Sequence, residues 1–396
     1  MPKAGALLRR LALLVSGVAG AAGAAGAAGA TWALAAWPGA GLPAAALAAP
    51  EPAAPTAAPI APPSTPAIAP AVAPAFEFVA LGDMPYGPDL IAGPAYRHLI
   101  GLVNQVAPPF TVHVGDFKDG TADCGDAEYQ RQWQYFQRFD SALVYTPGDN
   151  DWLDCQRRGD DPLERLQALR ERFFAGPRSL GRQPIAVERQ ADRQPAFARY
   201  RENLRWVYPA RPGGVVFATF HTVGPRNGLD ATLPAVRDEA RAREAANAAW
   251  IRAAFALARS QGAPALVLAT QAESLTYPDD DHPKRGVVHE AFATSIRDTL
   301  LPLAEAAPFP VLLVHGDFHH YMTDQPFFNA RGQRITNLWR LEVFGEPRLH
   351  AVRVRVQPGA TGSTGVNGTP GPEPFVFTPI FNPMSRDPRV RPGTGD

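Results

Sequence analysis

The chain is poor in cysteine, with Cys124 and Cys155 alone among 396 residues. A scaffold held by many disulfides is excluded, while a single bridge remains open to a chain that leaves the cytoplasm. An excess of either charge is also missing. Lys plus Arg and Asp plus Glu number 38 each, so no global field attracts nucleic acid, and none is expected as a partner. Beyond the N-terminal segment no apolar run is long enough to suggest a further membrane span.

Charge is absent between Arg10 and Glu51. Lys3, Arg9 and Arg10 make a positive start, Leu11 to Val15 opens an apolar run, and Ala28-Gly29-Ala30 offers a small-residue cleavage site. Residues 1–30 are therefore expected to be a signal peptide or membrane anchor. The stretch Leu11 to Trp37 has the length to span a bilayer, but its Ala/Gly content makes it weakly hydrophobic and favours cleavage. Either way the rest is expected to be exported, periplasmic or anchored to the envelope. Residues 31–74 alternate Ala and Pro, cannot build a core, and read as a disordered, extended linker. One large domain is expected over 75–385, then a disordered tail over 386–396.

What is present in that domain is a series of short apolar runs ending in acids. Phe78 to Leu81 leads to Gly82-Asp83, Phe110 to Val114 to Gly115-Asp116, and Val311 to Val314 to His315-Gly316-Asp317. Ala142 to Tyr145 precedes Gly148-Asp149, and Ala265 to Ala269 precedes Gln271. Helix-like stretches lie between them, over 96–106, 128–139, 163–174, 237–258 and 288–306. Alternating strands and helices argue for an α/β domain. Leu338 to Phe344, Leu349 to Val356 and Phe375 to Thr378 follow one another without helices, which suggests a sheet or sandwich rather than a doubly wound fold. Residues 180–212, rich in arginine and irregular, read as an insertion on one edge.

Ligands in α/β sheets gather at the carboxyl ends of strands, so Asp83, Asp116, Asp149, Gln271, Asp317 and His319 are expected at one rim. Carboxylates crowded there repel one another unless cations neutralise them. Two divalent ions balance four Asp charges, the usual plan for hydrolysing phosphate esters with a pair of metals.

In order and spacing these segments resemble the calcineurin-like metallophosphoesterases. That family runs Asp-x-His, Gly-Asp-x-x-Asp, Gly-Asn-His-Asp/Glu, a lone His, then Gly-His-x-His. Here stand Gly82-Asp83-Met84-Pro85, Gly115-Asp116-Phe117-Lys118-Asp119, Gly148-Asp149-Asn150-Asp151, Gln271 and Gly316-Asp317-Phe318-His319. The resemblance is greatest to an exported bacterial branch with Gly-Asp-Asn-Asp/Glu-Trp and His-Gly-Asp-x-His. It implies a four-layer α/β/β/α sandwich, and a first metal held by Asp83, Asp116 and His319. A second would be held by Asp116, Asp149, Gln271 and Asp317.

The departures carry chemistry. Pro85, Asp149, Gln271 and Asp317 replace family ligands, leaving a set rich in oxygen. Mn, Mg, Ca or Fe is then expected ahead of Zn, with one of the two ions open to loss. Asn150 stands where the family places a proton-donating His, and an amide cannot deliver a proton at neutral pH. The catalytic candidates are Asn150 with Asp151 beside it, and His315, His320 or His221 as an alternative proton source. Arg157 and Arg158 are expected either to clamp a phosphate or to pair with Asp160 and Asp161. Asn227 is a further pocket candidate. Gln271 is as readily a residue holding a neighbouring loop as a ligand. His113 reads as a core histidine, and Cys124 with Cys155 as a disulfide between loops near the site. The expected function is metal-dependent hydrolysis of a phosphate ester, small molecule or envelope component. The alternative is a non-catalytic envelope protein that keeps the fold.

Overall fold

A computed structural model describes residues 74–276, 286–360, 362 and 371–386. All of them belong to the second of two units into which the chain divides, Ala67–Asp396. The expected signal segment, the linker except for its last residue, and the tail after residue 386 lie outside the described residues. No helix among the described residues is long and apolar enough to cross a membrane.

The strands are β1 (Phe76–Leu81), β2 (Phe110–His113), β3 (Ala142–Tyr145), β4 (Leu180–Gly181) and β5 (Glu188–Arg189). Next come β6 (Leu204–Tyr208), β7 (Val215–Thr219), β8 (Leu266–Ala269), β9 (Leu275–Thr276) and β10 (Val287–Val288). The last are β11 (Val311–His315), β12 (Met322–Asp324), β13 (Leu338–Glu342), β14 (Ala351–Val356) and β15 (Phe375–Ile380). One sheet has the order β15-β14-β1-β2-β3-β4, the other β12-β13-β11-β8-β7-β6-β5, and β9 pairs with β10. Within the sheets β1, β2 and β3 run parallel, as do β7, β8, β11 and β13. Their carboxyl ends therefore share an edge in each sheet.

The two-residue period of strands sorts the side chains. Phe217, Val267 and Leu312 join the core that contains Phe78 and Phe110 of the first sheet. Their neighbours Val216, Leu266, Leu268, Val311 and Leu313 instead pack with Ile251, Ala254 and Phe255 of the helix Pro234–Ser260. An aromatic seam marks the contact between sheets: Phe217 lies 5.4 Å from Phe78 and 5.0 Å from Phe110, and Phe110 lies 5.5 Å from Trp206. On the other side of the first sheet His113 sits 5.0 Å from Phe136 of the helix Asp126–Phe136. The layers are helices, sheet, sheet and helices. His113 is fully buried in that packing, and burial pushes its imidazole down to about 3.

Two readings of the sequence change. Residues 180–212 are not an insertion on one edge. They carry the chain from the outer strand of one sheet to the outer strands of the other, and Trp206 of β6 is a core residue. The alternation in Leu204–Tyr208 was hidden among arginines, one of which, Arg205, sits over Trp250 with its guanidinium carbon 4.7 Å from the ring centroid. The helix expected over 288–306 contains a π-helical stretch, Ala293–Leu300, before Leu301–Glu305. The wider turn accommodates Pro302, which has no N–H to return to the preceding turn.

Candidate metal centre

The edge where the parallel strands end collects the acids. Asp83 follows β1, Asp116 follows β2, Asp149 follows β3, and Asp317 and His319 follow β11. The backbone there is forced into rare conformations: φ is +52° at Asp83, +53° at Asp116, +81° at Asp317 and +64° at His319. Such geometry costs on the order of 1–3 kcal/mol per residue and collects where function demands a fixed side-chain direction. Tight packing requires the glycines beside the acids. A Cβ on Gly148 would lie 2.0 Å from Asp116 Oδ1, and one on Gly316 would lie 1.9 Å from Asp83 Oδ2.

The acids are tied together. The Asp317 N–H donates to Asp83 Oδ1 at 3.0 Å, the Asn150 N–H to Asp116 Oδ1 at 3.0 Å, and the Glu273 N–H to Asp317 Oδ2 at 3.1 Å. His319 Nε2 lies 3.6 Å from Asp83 Oδ1, while its Nδ1 donates to the Glu346 carbonyl at 2.7 Å. That bond fixes the tautomer and leaves Nε2 facing the acids. Burial first, then neighbouring carboxylates, pushes Asp83, Asp116 and Asp149 well above the usual range. Asp317 is pushed up to about 7, chiefly by burial.

Whether these groups suit a cation can be tested on their free valences. Asp83 Oδ2 and Asp149 Oδ1 are buried without any hydrogen-bond partner. A buried carboxylate oxygen left bare costs several times the value of a hydrogen bond, and a divalent cation at this rim removes that cost. Four carboxylates and one neutral imidazole suit Mg, Mn, Ca or Fe. The residues fit.

Gln271 occupies its expected place but offers no ligand atom. Its Oε1 accepts the Gly224 N–H at 2.8 Å and its Nε2 donates to Asp116 Oδ2 at 3.0 Å. Because the Gly224 N–H can only donate, the amide is held with its nitrogen toward the acids, and that nitrogen has no lone pair to share. Gln271 therefore holds the Gly224 loop and orients Asp116.

Asp151 is fully buried beneath the cluster, accepting from Asp116 N (3.0 Å), Phe117 N (2.8 Å), Gly148 N (2.8 Å) and Tyr145 Oη (2.6 Å). It shapes the loops and does not reach the rim. His315 points elsewhere too: Nδ1 donates to the Gly316 carbonyl at 3.0 Å and Nε2 lies 3.8 Å from Glu273 Oε2. Asn227 is wholly buried, bonded to Glu244 at 2.9 Å and to Arg243, and braces a turn with φ +56°. Their side chains are spent on structure, which a sequence does not reveal. Arg157 pairs with Asp154 at 2.7 Å rather than with Asp160 or Asp161. Arg157 Nη1, Asp154 Oδ2 and Asn150 Oδ1 all converge on Gly120, 2.5–2.7 Å from where a Cβ would lie. Arg158 is exposed and donates to the Thr121 carbonyl at 3.1 Å. Cys124 and Cys155 form a disulfide.

Tyr86 was not anticipated. Its hydroxyl accepts from Asn150 Nδ2 at 3.0 Å and lies 3.4 Å from both Asp116 Oδ2 and His319 Nε2. It stands three residues beyond Asp83, next to Pro85 where the family's His is missing, and that gap was the one available signal. Its hydroxyl keeps Asp116 and His319 apart. A tighter group of ligand atoms, all within 4.8 Å of one another, lies beside the cluster instead, formed by Glu273, His315 and Glu342.

No protein-family model matches the chain, and no curated protein does. Among solved structures it is similar to a dimetal phosphatase from Danio rerio, at 10% identity and TM-score 0.44, over 78% of this chain and 100% of that one. It is similar also to PhoD, at 12% identity and TM-score 0.42, over 79% of this chain and 65% of that one. A purple acid phosphatase from yellow lupin seeds matches at 12% identity and TM-score 0.40, over 71% of this chain and 49% of that one. The architecture itself, two facing sheets between helices with Gly-Asp strand ends at one rim, is the four-layer α/β/β/α sandwich expected from the sequence.

Proposed function

We propose that the protein is an exported, metal-dependent hydrolase of phosphate esters, acting in the periplasm or at the envelope. The observation that carries the reading is the set of four carboxylates at the strand ends, Asp83, Asp116 and Asp149 buried and Asp317 half-buried, two of the buried ones with bare oxygens. A pair of divalent ions bound there supplies an activated water and charge neutralisation for the phosphoryl oxygens.

Asp83, Asp116 and His319 are the residues to hold one ion, and Asp116, Asp149 and Asp317 the other. Gln271 steers Asp116, and Asp151 fixes the loops that carry Asp116 and Gly148. The Asn150 amide contacts the phosphoryl group, with Arg157 beside it as a clamp. Asn150 cannot protonate a leaving group, and His315 faces away, so the esters best hydrolysed are those with good leaving groups. The absence of a ligand oxygen from Gln271 and of the family's His at Pro85 favours one second reading, a non-catalytic envelope protein that binds a single cation.

The deciding experiment is turnover of an activated aryl phosphate monoester and diester with Mn, Mg, Ca or Zn, beside Asp116→Asn. Metal-dependent turnover lost in the variant is the expected result. No turnover with any of these metals, from folded protein, overturns the enzyme reading in favour of the second.

A further inference from the structure

We propose that Glu273, His315 and Glu342 form a separate binding site for one divalent transition-metal ion, behind the carboxylate cluster. The three come from neighbouring parallel strand ends. His315 closes β11, Glu342 closes β13 as its register partner, and Glu273 follows β8 on the other side of β11. All three are at least nine-tenths buried.

Two atoms in this group have unmet valences. His315 Nδ1 carries its proton to the Gly316 carbonyl, so Nε2 presents a lone pair, and that atom has no hydrogen-bond partner. Imidazole anchored through one nitrogen and free at the other is the arrangement of a metal ligand. Glu342 Oε1 accepts the His320 N–H at 2.7 Å, whereas Glu342 Oε2 is buried and bare. His315 Nε2 and Glu273 Oε2 are 3.8 Å apart, too far for a hydrogen bond. Two ligands on one ion, each at about 2.0–2.2 Å, lie at most roughly 4.4 Å from each other.

The carboxylates are held in place by a buried guanidinium. Arg340 is fully buried here and directs Nη1 to Glu273 Oε2 at 2.6 Å. Its Nε and Nη2 both engage Asp324 at 2.7 Å. One imidazole with two carboxylates suits Zn better than the oxygen-rich cluster does. Bound there, an ion fixes Glu273, whose N–H holds Asp317.

The test is Zn2+ retention after equilibrium dialysis of the full-length protein, with the metal counted per chain. Asp116→Asn combined with Asp149→Asn disables the carboxylate cluster and is expected to keep one Zn2+. Adding His315→Gln, or separately Glu342→Gln, is expected to weaken that retention by about 10–100-fold. X-ray absorption on the retained ion should show one imidazole among oxygens. Circular dichroism melts without metal establish that each variant is folded, and the two alternative substitutions guard against failure of either. If the double variant keeps no Zn2+, the two bare atoms share a trapped water only and the proposal fails. It fails equally if the ion survives both added substitutions unchanged. Neither outcome bears on ester turnover, which is read separately.

Discussion

At the scale of single residues the site separates into groups that face the rim and groups that hold them. Asp116 does both, taking bonds from Gln271 and Asn150 while standing between the two halves of the cluster. Gln271→Ala is expected to leave the number of bound ions unchanged and to weaken their affinity by about tenfold, the effect of losing a supporting hydrogen bond. A lower stoichiometry in calorimetric titration would show that Gln271 is a ligand after all. Asp151→Ala is a different kind of change. It strands three backbone N–H groups and the Tyr145 hydroxyl in the core. A loss of at least about 3 kcal/mol of stability is expected in urea unfolding. For catalysis, the lack of an acid at Asn150 sets nitrophenyl esters ahead of alkyl esters by on the order of 100-fold in kcat/KM, the usual contribution of general acid catalysis. Equal rates on both would locate a proton donor, with Tyr86 the first to substitute.

At the scale of elements, the loops after β2 and β3 carry much of the site, and the Cys124–Cys155 bridge ties them across 31 residues of sequence. Closing a loop of that length is worth about 3–4 kcal/mol in the chain-entropy description. Cys124→Ser with Cys155→Ser is therefore expected to lower stability by that amount. The same change should loosen metal binding, because Asp154 and Arg157 beside Asn150 lie on the segment anchored by Cys155. Unchanged metal affinity in the double variant would separate the bridge from the site.

At the scale of the molecule, the cluster makes stability depend on pH and metal together. The Asp317 carboxyl is raised to about 7 and that of Asp151 to about 6, both chiefly by burial. Unfolded, these groups return to the ordinary range near 4. Between the two values the folded protein binds more protons than the unfolded one, so stability falls as pH rises. The metal-free protein is expected to melt at a lower temperature at pH 8 than at pH 5. Divalent cations should reverse that trend, since they replace the protons and release them on binding. A melting temperature that rises from pH 5 to pH 8 without metal would contradict the buried, uncompensated cluster.

The sequence by itself determined the α/β alternation, the main core strands and the gathering of Asp83, Asp116, Asp149, Asp317 and His319. Each rests on a local signal, an apolar run followed by Gly-Asp, and parallel strands bring their ends to one edge whatever the details of packing. The crossing between sheets over 180–212 was illegible because Arg205, a charged residue within β6, is buried with its guanidinium over Trp250 and bonded to Glu188, and so disguises a strand. Tertiary structure alone decided which polar atoms are already taken. Gly224 fixed the face that Gln271 presents, a buried nest of donors claimed Asp151, and Arg243 with Glu244 claimed Asn227. Glu273 and Glu342 entered only when strands distant in sequence became neighbours. Residue type announces what a side chain can donate or accept, but its partners are chosen by the fold, and only the valences left over are available for function.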